Sequence, residues 1–130
     1  MIEEERIKLE KMKKMMEKEE IIIDVNQNDF MEKVIEKSKE KPVIVDFWAS
    51  WCKPCLVLGP ILERIVKEYN GKVILARLNV TENQQLAAMY GVMSIPNVKM
   101  FKDGKVVDEF VGAIPEPLIR GWIERNLKKD

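Results

Sequence analysis

The sequence contains no histidine and only two cysteines, Cys52 and Cys55. Without histidine there is no Cys–His nucleophile pair. A lone C-x-x-C supplies half of a tetrahedral zinc site. The other ligands would have to be carboxylates or come from a second chain, and Pro54 stiffens the loop between the cysteines. A staple closing so short a loop would restrict the unfolded chain little. No apolar run is long enough to span a bilayer. The first twenty residues are dense in charge and lack the apolar segment of a secretory leader. Net charge is missing too: 22 basic residues balance 22 acidic ones, which gives no drive toward nucleic acid or a membrane surface. These absences predict a cytoplasmic protein without metal or organic cofactor, whose cysteine pair is a redox couple.

What is present is enough for one core: 130 residues, 46% of them apolar. The charged fraction of 34% is high and rich in Glu and Lys, which suits a very soluble surface or a heat-stable one.

The stretch from Pro42 to Cys55, P-V-I-V-D-F-W-A-S-W-C-K-P-C, organises the chain. Val43 to Trp48 reads as a strand buried on both faces. Leu58, Ile61, Leu62, Ile65, Val66 and Tyr69 then recur at helical spacing. Pro54 fits the first turn of that helix, and Pro60 should kink it. Cys52 is thereby placed at a strand-to-helix junction, at the positive end of a helix. Main-chain amides there favour the thiolate, the form that attacks disulfides, and Lys53 adds a positive charge. Cys55, one turn on, is placed to resolve a mixed disulfide formed at Cys52. Asp46 interrupts the apolar strand, where burial would raise its pKa and make it a proton carrier beside the cysteines. The plainer reading is an aspartate paired with a cation such as Arg77 on the next strand.

The rest of the chain alternates. Residues 1–20 read as a charged helical extension, with Ile2, Leu9, Met12 and Met16 on a thin stripe. It is either a solvated helix or frayed tail, or a docking or self-associating helix. Residues 21–130 form the domain. Ile21 to Val25 is strand-like, and Phe30, Val34 and Ile35 share one side of a helix ending near Lys39. Asn70-Gly71 ends the cysteine-bearing helix. Val73 to Val80 is a strand, and Thr81-Glu-Asn-Gln84 has a capping-box pattern opening a helix that ends at Gly91. Asn97 to Phe101 and Lys105 to Phe110 form a hairpin around Asp103-Gly104. Pro115 to Leu127 is the last helix, with Leu118, Ile119, Trp122 and Ile123 inward. The order β-α-β-α-β-α-β-β-α predicts an α/β fold, a central mixed sheet flanked by helices. Cys52 lies beyond the carboxyl end of a strand, where such sheets place their sites.

W-C-K-P-C preceded by V-D-F-W-A resembles the active site of the thioredoxin family. The resemblance spans about residues 21 to 128. It extends to Pro60, to Ser94-Ile95-Pro96, to the F-K-D-G turn and to Val111-Gly112-Ala113. It implies the thioredoxin fold, with Cys52 as nucleophile, Cys55 as resolving thiol and Asp46 as buried acid/base. Pro96 would be cis. Ile95 would offer backbone hydrogen bonds to an extended substrate, and Trp51, Pro54, Pro96 and Gly112 would make a flat docking surface. The implied partners are proteins with disulfides and a thioredoxin reductase. An oxidising or isomerising relative, or a thioredoxin-fold adaptor working through its N-terminal helix, are the alternatives. The sequence departs from the family at Lys53 (usually Gly), at Arg77 (usually Lys), and at Leu56 and Met93, which make the rim more apolar. Lys53 would tilt the couple toward oxidising, and Arg77 would hold Asp46 more ionised.

Overall fold

The computed structural model describes residues 2–16 and 20–128. It contains α1 (Glu3–Met16), β1 (Ile22–Val25), β2 (Val43–Trp48), α2 (Lys53–Lys67), β3 (Ile74–Asn79), α3 (Gln84–Met89), β4 (Asn97–Lys102), β5 (Lys105–Val111) and α4 (Glu116–Lys128). An irregular helical segment lies between β1 and β2, π-helical over Met31–Glu36 and 3-10 over Lys37–Lys39. The five strands form one sheet in the order β1-β3-β2-β4-β5. β1 and β2 run parallel to β3, while β2/β4 and β4/β5 are antiparallel. The mixed α/β fold expected from the alternation is the one observed.

Alternation along the central strands sorts the core into two layers. Val43, Val45 and Phe47 of β2 and Ile74, Ala76 and Leu78 of β3 pack on one face against Phe30 and Val34 of the irregular segment and Leu86 of α3. Ile44, Leu75, Val98 and Met100 pack on the other face against Leu58, Leu62 and Ile65 of α2 and Ile119, Trp122 and Ile123 of α4. Asp46 and Arg77, two residues on from Ile44 and Leu75, therefore face α2.

Several local expectations change. Leu118 is 58% exposed, so the inward stripe of α4 is Ile119, Trp122, Ile123 and Asn126. α2 carries Pro60 without ending. Pro60 and Leu56, the residue whose carbonyl loses its donor, are both exposed, so water can satisfy that carbonyl. The capping box at Thr81 does not form. α3 starts one residue past Asn83, whose side chain bridges the Gln27 amide and the Asn79 carbonyl instead. The irregular segment has its own start signal: Asn26 and Asp29 exchange side-chain-to-backbone hydrogen bonds at 2.8 and 3.2 Å.

The hairpin turn holds both Asp103 (φ 52°) and Gly104 (φ 80°) in the left-handed region, as a two-residue turn of the I′ type requires. Its amides bind back to Ser38, which ties the turn to the irregular segment. A Cβ at Gly104 would meet only ordinary contacts, the nearest at 3.6 Å. Gly104→Ala should therefore cost about 1 kcal/mol, through the backbone alone, in a urea unfolding series.

Candidate active site

The strand β2 delivers the chain to Ala49, and the Cys52 amide bonds the Ala49 carbonyl at 3.2 Å, closing the turn into α2. Cys52 is the N-cap residue of α2, with extended backbone (φ −93°, ψ 103°) and Pro54 within the first helical turn. It forms a disulfide with Cys55, their Cα atoms 5.3 Å apart. The Cys55 N–H donates to the Cys52 sulfur at 3.2 Å. That bond is a side-chain cap made by sulfur. In the dithiol form the same amide and the helix dipole favour negative charge at Cys52. The pair is asymmetric: Cys52 keeps 5% of its surface exposed, Cys55 none. Of the two, only Cys52 is reached from outside.

Ala49 and the two cysteines pack with Trp48, Val80 and Ile95. The Ile95–Pro96 peptide is cis, as the resemblance implied. Pro96 is buried. Its carbonyl accepts the Gly112 N–H at 2.8 Å, which fixes Gly112 (φ 92°) beside it. Trp51 is 69% exposed, and its indole N–H donates to the Thr81 hydroxyl at 3.2 Å. The Thr81 side chain read as a helix cap in the sequence thus anchors this aromatic. Pro54, Leu56 and Met93 are exposed, Met93 at 96%. Lys53 is exposed at the start of α2.

Asp46 is fully buried. One carboxylate oxygen accepts from Arg77 Nε at 3.3 Å, and the other has no partner among the described residues. Burial pushes its pKa up to about 6, against the opposing pull of the Arg77 charge and hydrogen bond; Glu63 adds a smaller upward push. The pairing with Arg77 is present, and burial raises the Asp46 pKa in spite of it. Desolvation outweighs the cation because the pair is made by a single contact. The Arg77 guanidinium lies over the Trp48 ring, 4.6 Å from its centroid, and beside Gly59 of α2. Gly59 was passed over in the sequence, although a glycine followed by proline inside a strong helix is itself a signal.

Next to the cis proline, Asn97 donates to Glu109 at 3.3 Å, and Glu109 also takes the buried Lys99 ammonium at 2.7 Å. Nothing in the strand pattern marked this polar cluster beforehand. Among the described residues no group of three or more His, Cys, Asp or Glu side chains is placed to hold a metal ion, and no helix is long and apolar enough to cross a membrane.

A buried, asymmetric cysteine pair at a helix start, packed against Ile95 of the cis Ile95–Pro96 peptide, is one arrangement in which a disulfide is made and broken. The family model described as Thioredoxin matches residues 21–125. The chain belongs to the thioredoxin family. It is 43% identical over 104 residues to the thioredoxin of Chlorobaculum thiosulfatiphilum, covering 80% of this chain and 94% of that one. It is 46% identical over 90 residues to thioredoxin 2 of Chlorobaculum tepidum, covering 69% and 83%. It is 40% identical over 104 residues to the chloroplastic M-type thioredoxin of Spinacia oleracea, covering 80% of this chain and 56% of that one. As a thioredoxin it is a protein thiol–disulfide oxidoreductase, with the Cys52–Cys55 disulfide as its redox centre. The oxidising, isomerising and adaptor readings are not favoured.

Proposed function

We propose that this thioredoxin reduces disulfides in partner proteins by a two-step exchange in which Cys52 attacks and Cys55 resolves. The observation that carries this division is the exposure difference, together with the Cys55 N–H aimed at the Cys52 sulfur. The Cys52 thiolate attacks one substrate sulfur. A Cys52–substrate disulfide forms, and the other substrate sulfur leaves as a thiolate. Cys55, losing its proton, attacks Cys52 Sγ. The Cys52–Cys55 bond forms and the second substrate thiol departs. Two electrons pass from the protein dithiol to the substrate. A thioredoxin reductase returns them, and the cytoplasm is the proposed setting, because such a couple works where reducing equivalents are supplied.

Asp46 is proposed as the group that handles the Cys55 proton. It faces α2 from the strand that leads into the cysteine loop, and its titration near 6 lets it exchange a proton near neutrality. Trp51, Pro54, Pro96, Gly112 and the Ile95 backbone are proposed to receive an extended substrate segment. Lys53 is proposed to favour the thiolate. The test is reduction of an insulin-type model disulfide by the full chain, coupled to a reductase. A chain that holds its fold and the thiol pair but gives no turnover would overturn the reading.

Residues 1–20 are proposed to dock, or to self-associate, without taking part in the chemistry. Leu9 and Met12 of α1, and Ile2 just before it, are all exposed; the Met16 side chain lies outside the described residues. An isolated helix of this length is marginal in water. A chain starting at Ile21 should fold, and it should reduce the model disulfide within about twofold of the full-length rate. A folded but inactive truncated chain would place the extension in the active site.

A further inference from the structure

We infer that Gly59 is a positioning residue for the redox site: the absence of its side chain creates the seat in which the Arg77 guanidinium is held against the buried carboxylate of Asp46. Three surfaces define the seat. A Cβ built on Gly59 would stand 2.8 Å from Arg77 Nη2 and 3.2 Å from Cζ, closer than such atoms pack. The Trp48 ring lies under the guanidinium, its centroid 4.6 Å from Cζ. Asp46 accepts from Nε at 3.3 Å. Gly59 stands four residues past Cys55, one turn further along the face of α2 that carries the buried thiol. Arg77 therefore packs directly on the helix that holds the cysteines.

The shape of the cation makes it sensitive to a side chain at 59. A guanidinium is planar and broad, whereas a lysine ammonium is a point at the end of a flexible stem and can turn past a methyl group. Gly59 leaves the space in which the broad head lies flat between helix and sheet. With an alanine at 59, the guanidinium would have to shift from its place between the Trp48 face and the Asp46 oxygen. Among the described residues that oxygen has no other partner, and the second carboxylate oxygen has none. The charged groups acting on Asp46 are Arg77 from β3 and, more weakly, Glu63 from α2; its β4 neighbour is Val98. Glu63 lies one turn beyond Gly59 and would be an alternative partner for a displaced Arg77.

This inference deepens the proposed role of Asp46 and rests on that reading only for its effect on turnover; the seating itself does not. The experiment is a cycle of Gly59→Ala, Arg77→Lys and the double variant in the full oxidised chain. It reads the carboxyl-carbon NMR titration of Asp46, the melting temperature at pH 8 and pH 4.5, and the pH profile of disulfide reduction. Alanine for glycine inside a helix ordinarily raises stability. Here Gly59→Ala should lower the melting temperature at pH 8, where Asp46 is ionised, and lower it less or raise it at pH 4.5. It should shift the Asp46 midpoint upward by about one unit, through loss of the opposing cation. In the Arg77→Lys background the same change should raise the melting temperature and leave the midpoint in place. This reversal of sign is the signature of coupling, and it can be read even if Gly59→Ala alone folds poorly. An unmoved Asp46 midpoint with a raised melting temperature in Gly59→Ala would overturn the seating. A shifted midpoint with an unchanged pH profile of turnover would uphold the seating and remove Asp46 from the proton path.

Discussion

Cys52→Ser is expected to lower disulfide reduction on the order of a thousandfold or more, the scale seen when an enzyme loses its nucleophile. Cys55→Ser is expected to do something different. The variant should still attack, and then stop as a mixed disulfide through Cys52. The reason is positional. Cys52 caps α2, takes the Cys55 N–H at 3.2 Å, and retains access to solvent, while Cys55 is closed off inside the first turn. Serine at 55 keeps the amide that stabilises the Cys52 thiolate, because that amide belongs to the backbone. Mass spectrometry after incubation with a disulfide-containing protein reads the trap directly. Equal trapping through Cys55 in the Cys52→Ser variant would sink the assignment.

Asp46→Asn is expected to stabilise the protein and slow it. The stability effect has a definite pH window. The Asp46 pKa is raised from the ordinary 3.8 to about 6 in the folded chain. Between those values the folded state holds a proton that the unfolded state has released, so stability falls as pH rises through the window. Below it the term is absent as a penalty; above about 6 the penalty is complete. A shift from 3.8 to about 6 corresponds to about 3 kcal/mol, an upper figure for so buried a pair. Asp46→Asn removes this term. It should raise the unfolding free energy by about 2 kcal/mol at pH 8 and change it little at pH 4, with some loss from leaving Arg77 without its carboxylate. Turnover should slow by roughly a hundredfold near neutral pH, the lower end of the range for a lost proton-transfer group. Denaturant curves and model-disulfide kinetics at several pH values check both. A variant as fast as the parent at every pH would leave Asp46 with a purely structural role.

The charge-rich surface has a structural counterpart. Glu68 and Glu116 are both bound by Arg120, and Arg64 also holds Glu116, so α2 and α4 are laced by a network rather than by single pairs. Isolated surface pairs contribute little, and a network at high temperature contributes more.

The order of strands and helices, the Asp103-Gly104 turn and the place of Cys52 were legible in the sequence because each rests on local chemistry. Apolar runs, a proline that fits a first turn and a glycine that takes positive φ act over a few residues. The family match and the cis peptide before Pro96 agree with what the motif implied. Leu118 was misread because α4 turns its face by contacts with β4 and β5 that helical spacing cannot contain. The Thr81 cap failed because its hydroxyl meets Trp51, thirty residues away.

The sequence by itself determined the chemistry available: two thiols at a helix start, one carboxyl in an apolar strand, and no histidine to share the work. Only the tertiary structure decided how those groups are tuned. Whether Asp46 is held ionised or driven toward neutral depends on the balance of burial against one contact from Arg77. That balance is set where β2, β3 and α2 meet, at the space left by Gly59. Electrostatic energies in a packed interior vary steeply with distance and solvent access, and neither quantity exists until the chain has closed.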